Sequence, residues 1–188
     1  MHTSAPDNLA ARRAGWIAVL MVASIAGSVA FACATPFAAL AALAAPYMSR
    51  RDAFVVTGVT WIANQAVGYG FLHYPHTFES FAWGLAIGAG AVAATALAAE
   101  IGSALRPFGW VPTTLASFAV AFAGYEVVLY AAATILPSDS SDFSLAVVLY
   151  ILKVNVIAFG GLLLLQHAGA RTGLAVSRPS ADVAPTAA

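Results

Sequence analysis

Charged side chains are scarce in this sequence. Only 9% of its 188 residues are Asp, Glu, Lys or Arg, whereas 61% are hydrophobic. A soluble domain has about a quarter of its residues charged and about half apolar. The shortage of charge therefore excludes an ordinary soluble domain and predicts an integral membrane protein embedded in the lipid bilayer.

Other absences limit the function. The formal net charge is zero, so no basic field is available to attract nucleic acid. The single cysteine, Cys33, excludes an internal disulfide. The sequence contains no G-x-x-x-x-G-K-[ST] nucleotide motif, no G-x-S-x-G nucleophile elbow and no carboxylate cluster suited to two metal ions. We therefore expect a protein that is not an enzyme.

What the sequence does contain is a series of long apolar runs separated by charged, polar or proline-containing breaks. A helical span needs about 20 apolar residues. We predict an all-α protein with six transmembrane helices within residues 14–33, 34–48, 53–70, 81–99, 111–136 and 143–166. They form a transmembrane domain over 14–167, preceded by a cytoplasmic segment 1–13 and followed by a disordered cytoplasmic tail 168–188.

An alternative with five spans joins residues 14–45 into one long helix kinked at Pro36. The distribution of charge decides between them. With six spans, one side of the bilayer carries seven arginines and the other carries Glu79, Asp139 and Asp142; the arginines are Arg12, Arg13, Arg50, Arg51, Arg106, Arg171 and Arg178. Because Lys and Arg favour the cytoplasmic side, we predict six spans with both termini inside. Thr35 is then a predicted N-cap and Pro36 a first-turn residue of the second helix.

Polar side chains inside a membrane are costly and therefore indicate candidate functional positions. In the six-span topology they concentrate between the middle of the bilayer and its outer face, with aromatic side chains around the outer loops. We predict an external ligand pocket formed by these residues: Trp61, Asn64, Gln65, Tyr69, His73, Tyr74, His76, Trp83, Glu126, Lys153 and Asn155.

Several of these residues have more than one interpretation. Glu126 and Lys153 are opposite charges deep in the spans and are predicted to pair, either to fix helix register or as part of a ligand site or a proton-linked switch. The dipeptide Asn64-Gln65 fits ligand binding and inter-helix hydrogen bonding about equally. His73 and His76 are either solvated or bind a soft divalent ion together with Cys33.

Small residues spaced four apart predict close helix contacts, because in lipid close backbone approach replaces the hydrophobic force between helices. Gly84 and Gly88 are the most specific such pair. Alanine pairs with the same spacing are Ala26 and Ala30, Ala38 and Ala42, and Ala94 and Ala98.

The stretches CATPFAAL (33–40) and WIANQ (61–65), within the six-segment layout of residues 14–167, resemble a known family. They are similar to the substrate-binding membrane subunits (S components) of energy-coupling-factor vitamin transporters, and most of all to the solitary cobalamin-uptake (BtuM-like) type. The resemblance implies a vitamin-like ligand held in the outer half of the bundle, with cobalamin as the leading candidate. It also implies Cys33 as an axial thiolate ligand of cobalt, a soft ligand suited to that metal.

The resemblance further implies docking on an ATP-driven coupling module through Ala-x-x-x-Ala patches, for which Ala38 and Ala42 or Ala26 and Ala30 are candidates. We therefore expect a substrate-binding subunit for vitamin uptake in a bacterial-type inner membrane. One alternative is a non-catalytic accessory or assembly subunit, which the small-residue faces favour. The other is a small divalent-metal permease that uses Cys33, His73 and His76.

Overall fold

A computed structural model describes residues 11–12, 14–20, 22–23, 35–138 and 143–171, and these are helices joined by short turns. The predicted all-α class is confirmed for this part of the chain. The helical residues among 11–23 are called α1. The others are α2 (Phe37–Tyr47), α3 (Arg50–Gly70), α4 (Phe78–Ala104), α5 (Trp110–Ala133) and α6 (Leu145–Arg171), with a short 3-10 helix (Arg106–Phe108) between α4 and α5.

Local sequence sets where the helices begin. Ser49 precedes α3 and its side chain accepts a hydrogen bond from Asp52 N at 3.2 Å, while Thr77 precedes α4 and accepts one from Ser80 N at 3.3 Å. Both are ordinary N-caps that satisfy a backbone donor of the first turn. Gly109, the N-cap residue of α5, has a φ of 92°, a conformation that residues with a Cβ rarely adopt.

Within the described part of the chain, three helices are long and apolar enough to cross a membrane: Phe78–Ala104, Trp110–Ala133 and Leu145–Arg171. Helix α3 has 21 residues, about 31 Å at 1.5 Å per residue, and so has the necessary length. It is less apolar because it carries two arginines and an aspartate in its first turn and the amide pair Asn64-Gln65 further along.

Helix α2 is the centre of the bundle. It has 11 residues, about 16 Å in length, and packs against α3, α4, α5 and α6. Every residue from Phe37 to Ala44 is at most 1% exposed. A length of 16 Å is about half the hydrocarbon thickness, so the helix within the predicted span 34–48 is shorter than a complete transmembrane helix. It is a short core helix that other helices of the bundle surround.

The start of α2 also differs from the sequence prediction. Thr35 and Pro36 are not helical, which contradicts a continuous helix kinked at Pro36. The helix begins at Phe37 with Pro36 as its N-cap, and no side chain caps it locally. The predicted cap by Thr35 is therefore wrong, because its hydroxyl is used in another contact.

The long helices alternate in direction. Arg50, at the start of α3, forms an exposed ion pair of 2.8 Å with Glu100 near the end of α4. At the opposite end, Trp83 Nε1 donates to Pro137 O at 3.2 Å, which ties α4 to the chain after α5. The rings of Tyr130 and Phe143 meet at 5.6 Å, so α6 starts beside the end of α5.

One end of the bundle consequently carries Arg50, Arg51, Arg106 and Arg171, and the other carries Glu79. This agrees with the predicted separation of charge for these residues. Arg13, Arg178, Asp139 and Asp142 lie outside the described residues. We call the two ends the arginine end and the Glu79 end.

Candidate ligand-binding cleft

The turn between α3 and α4, at the Glu79 end, folds back onto α3. Tyr74 N donates to Gly68 O at 3.1 Å, and the Tyr74 ring lies over Gly68. A Cβ at position 68 would come within 2.6 Å of that ring. An alanine there would have to displace the Tyr74 ring, so glycine allows this ring to lie directly against α3.

A cleft of about 350 Å³ opens between α3, α4 and this turn. Its lining is mixed aromatic and polar, with few aliphatic groups. The lining residues are Asn64, Gln65, Tyr69, Tyr74, Pro75, Thr77, Glu79, Ser80, Trp83, Gly84 and Ile87. Asn64, Gln65, Tyr69, Tyr74 and Trp83 were all predicted from the sequence as ligand residues, and the structure brings them together.

Tyr69 is held in place by its neighbours. Its ring stacks on Phe81 at 4.8 Å between centroids and on His76 at 5.5 Å, and its hydroxyl lies 3.1 Å from Ser80 Oγ. Tyr74 meets the same ring edge-on at 5.9 Å. Contacts with neighbouring side chains therefore fix the position of the aromatic wall of the cleft.

The amide pair forms the deeper part of the cleft. Gln65 Nε2 donates to Asn64 Oδ1 at 3.3 Å, and Asn64 Nδ2 donates to Thr35 Oγ1 just before α2. The pair thus joins α3 to the start of the core helix while lining the cleft. Of the two alternatives that the sequence left open, hydrogen bonding to another part of the bundle is present at Asn64, and both amides also line the cleft.

The predicted close contact at Gly84 and Gly88 is confirmed. A Cβ at position 84 would lie 2.5 Å from Gln65 Oε1, and one at position 88 would lie 2.8 Å from the Trp61 indole. Trp61 Nε1 also donates to Gly84 O at 2.8 Å. Trp61, predicted as a ligand residue, instead borders a separate apolar groove of about 270 Å³ between α3 and α4.

Asn155 does not line the cleft. It is 2% exposed; its Oδ1 accepts a hydrogen bond from Ala39 N at 3.3 Å, and its Nδ2 donates to Ile151 O at 3.1 Å. Ala39 lies in the first turn of α2, whose N–H groups have no partner within the helix. Asn155 on α6 therefore caps the core helix through tertiary structure.

The predicted ion pair between Glu126 and Lys153 does not form in the part of the chain that the structure describes. Successive residues on a helix are about 100° apart, so Lys153 is rotated by about 200° from the inward-facing Asn155. It is accordingly exposed on the outer face of α6. Glu126 is half-buried, and its Oε1 has no hydrogen-bond partner among the described residues.

The two histidines do not assemble a metal site within the described ranges. His73 and His76 are both exposed, and His73 has a φ of 55°. No group of three or more His, Cys, Asp or Glu side chains in those ranges could hold a metal ion. Cys33, the predicted cobalt ligand, lies outside them.

The alanine pair of α2 cannot serve the docking role that the resemblance implied. Ala38 is 1% exposed and Ala42 is fully buried, since both face other helices of the bundle. A partner protein could not reach them without opening the core. Ala26 and Ala30 lie outside the described residues.

Several lining residues were missed as ligand candidates. Four of them are close to Trp83 in the sequence. Glu79 and Ile87 are each four residues from Trp83, Ser80 is three residues away, and Gly84 follows it directly. Positions three and four apart share one face of a helix. Once Trp83 is a candidate, helical spacing would therefore have found Glu79, Ser80 and Ile87 as well.

No family model, curated protein or solved structure matches the chain. Its function has to be argued from its own residues.

Proposed function

We propose that this chain is the substrate-binding membrane subunit of an uptake system for a vitamin-like small molecule, which binds in the cleft between α3 and α4. The observation that carries the proposal is that five of the eleven residues predicted from the sequence as ligand residues line a single cleft. Small-molecule sites typically enclose about 300–1,000 Å³, with a few polar groups among apolar and aromatic ones. A cleft of about 350 Å³ lies within that range.

The orientation follows from charge. By the positive-inside rule the arginine end faces the cytoplasm, so the cleft opens on the outer side of a bacterial-type inner membrane. Six helices with both chain ends inside account for this arrangement. Since the sequence contains no nucleotide-binding motif, energy for uptake would come from a separate ATP-driven module.

The size of the cleft bears on the ligand. Cobalamin is far larger than about 350 Å³, so the cleft would enclose only a part of it. Its binding would require further residues such as Cys33. A vitamin-like molecule with one or two rings fits the cleft without them.

The test is ligand binding by the purified protein in lipid nanodiscs. Mass spectrometry of the purified sample, and a binding panel of water-soluble vitamins that includes cobalamin, should identify a ligand. Trp83→Ala should weaken its binding about tenfold or more, because a large aromatic wall is lost from the cleft. Trp110→Ala is the matched control, since Trp110 is exposed at the arginine end.

Two results would contradict the proposal. One is repeated recovery of empty protein that binds nothing in the panel. The other is equal loss of affinity in the two tryptophan variants. Empty protein that co-purifies stoichiometrically with another membrane protein would favour the accessory-subunit alternative.

A second prediction concerns the deep part of the cleft. Gly84→Ala should weaken ligand binding about five- to tenfold while the protein remains folded. The new methyl group would meet Gln65 Oε1, the movable end of a flexible side chain, so the amide shifts and the backbone does not. Affinity and melting temperature should be measured together.

Gly160→Ala is the control for this variant. It lies within α6 with no atom within 4 Å of the added methyl group. An alanine there should leave affinity unchanged and slightly stabilise the helix, because alanine has the higher helix propensity. Unchanged affinity in Gly84→Ala would remove Gln65 from the proposed site.

A further inference from the structure

Among the described residues that line the cleft, Glu79 is the only one with a formally charged side chain. Glu79 lies in the first turn of α4 and its side chain is exposed. Within the described ranges its carboxylate has no hydrogen bond or ion pair. None of the described residues that line the cleft is Lys, Arg or His. A negative charge without a counter-ion therefore faces the cleft.

The helix ends do not offset this charge. Helix α3 ends and α4 begins at the Glu79 end of the bundle, so the C-terminus of α3 lies beside the N-terminus of α4. Each helix end carries about half an elementary charge, negative at a C-terminus and positive at an N-terminus. The two contributions oppose each other, so Glu79 remains the main charge among the described lining residues.

The aromatic side chains act in the same direction. Tyr74 and Trp83 line the cleft beside Tyr69, whose own ring is stacked on Phe81 and His76. Aromatic rings attract cations because their faces are negative. Asn64 and Gln65 add amide groups that can exchange hydrogen bonds with a polar substituent. A flat ring with a positive charge and a polar substituent would use all of these features.

From this lining we infer that the cleft selects a small organic cation, such as a quaternised nitrogen ring with a hydrogen-bonding substituent, over neutral or anionic molecules of the same shape. This inference rests on the proposed function and specifies the class of its substrate. An anion of that shape would be placed against an unpaired carboxylate and would be excluded by like-charge repulsion.

Two probes of nearly identical shape test the inference. They are the 1-methylnicotinamide cation and neutral 3-methylbenzamide, in which a carbon atom replaces the charged ring nitrogen. The wild-type protein in nanodiscs should bind the cation about tenfold more tightly than the neutral probe. Glu79→Gln should reduce this preference to about twofold or less.

Glu100→Gln is the matched control, because Glu100 is an exposed carboxylate at the other end of α4 and should leave the preference unchanged. A measurement on the unaltered protein serves as a check that needs no variant. A tenfold increase in salt should weaken binding of the cation and not of the neutral probe, since salt screens exposed charges.

The outcomes separate the two proposals. Equal binding of both probes, tighter binding of the neutral one, or a cation preference that survives Glu79→Gln would overturn the inference. A neutral or anionic vitamin bound in the cleft would also overturn it and would leave the proposed function standing. Failure of both probes and of the whole vitamin panel would overturn both.

Discussion

Replacing Asn155 with leucine is expected to lower the free energy of unfolding by about 2–3 kcal/mol. Asn155 is 2% exposed and its side-chain oxygen accepts a hydrogen bond from Ala39 N in the first turn of α2. Leucine has a similar size, so it would fill the space but leave that buried donor without a partner. The unsatisfied N–H lies in the interior, where no water can replace the lost bond. Thermal unfolding of the purified protein, followed by tryptophan fluorescence, measures the effect.

Lys153→Ala is the control for this prediction, since it lies two residues away on the same helix. Lys153 is exposed and has no partner among the described residues, so its loss should change stability by no more than about 0.5 kcal/mol. A buried pair with Glu126 would instead make Lys153→Ala cost about 3–5 kcal/mol. A leucine variant at position 155 as stable as the wild type would contradict the capping role.

Added volume at the contact between α4 and α5 should lower the free energy of unfolding by a similar amount. Gly90→Leu is expected to lower the free energy of unfolding by about 3 kcal/mol, through overpacking. A Cβ at position 90 would lie 2.9 and 3.1 Å from two ring atoms of Tyr125 and 3.5 Å from its backbone oxygen. Tyr125 is 7% exposed and packs against Phe37 of the core helix, so its ring has little room to move. Melting temperature and the monodisperse fraction in gel filtration report the loss.

Gly160→Leu provides the comparison, because the space around position 160 is open and the new side chain would extend outward from α6. Its stability should equal or slightly exceed that of the wild type. Gly124→Ala should be milder than Gly90→Leu, since its methyl group meets only the flexible end of Leu97. Similar stability of Gly90→Leu and Gly160→Leu would show that α4 and α5 do not pack as closely as described.

The helical class and most helix positions could be predicted from local patterns. Apolar runs interrupted by Ser49-Arg50-Arg51-Asp52 or by Arg106-Pro107 indicate helices and breaks, because caps, charges and prolines act over a few residues. The structure extends α4 to Phe78–Ala104, several residues beyond the predicted 81–99 at each end. Polar residues can continue a helix past its apolar part, so hydropathy alone underestimates its length.

Part of the candidate cleft could also be predicted from the residue types in the sequence. A polar or aromatic side chain stands out in an apolar sequence, which identified Asn64, Gln65 and Tyr69. Glu79 lies beside a helix start, where a carboxylate is common, and so did not stand out. Its position in the cleft depends on how the turn after α3 folds back.

The amino-acid sequence by itself determined that the described part of the chain is helical, that it contains helices apolar enough for a membrane and that Arg50, Arg51, Arg106 and Arg171 lie at one end of the bundle. These properties depend on composition and on neighbours within a few residues. Only the tertiary structure decided that α2 is a buried core helix, that Asn155 caps it and that Lys153 faces outward. Lipid and a protein interior are about equally apolar, so an alanine- and leucine-rich helix suits both, and packing alone determines which of them surrounds it.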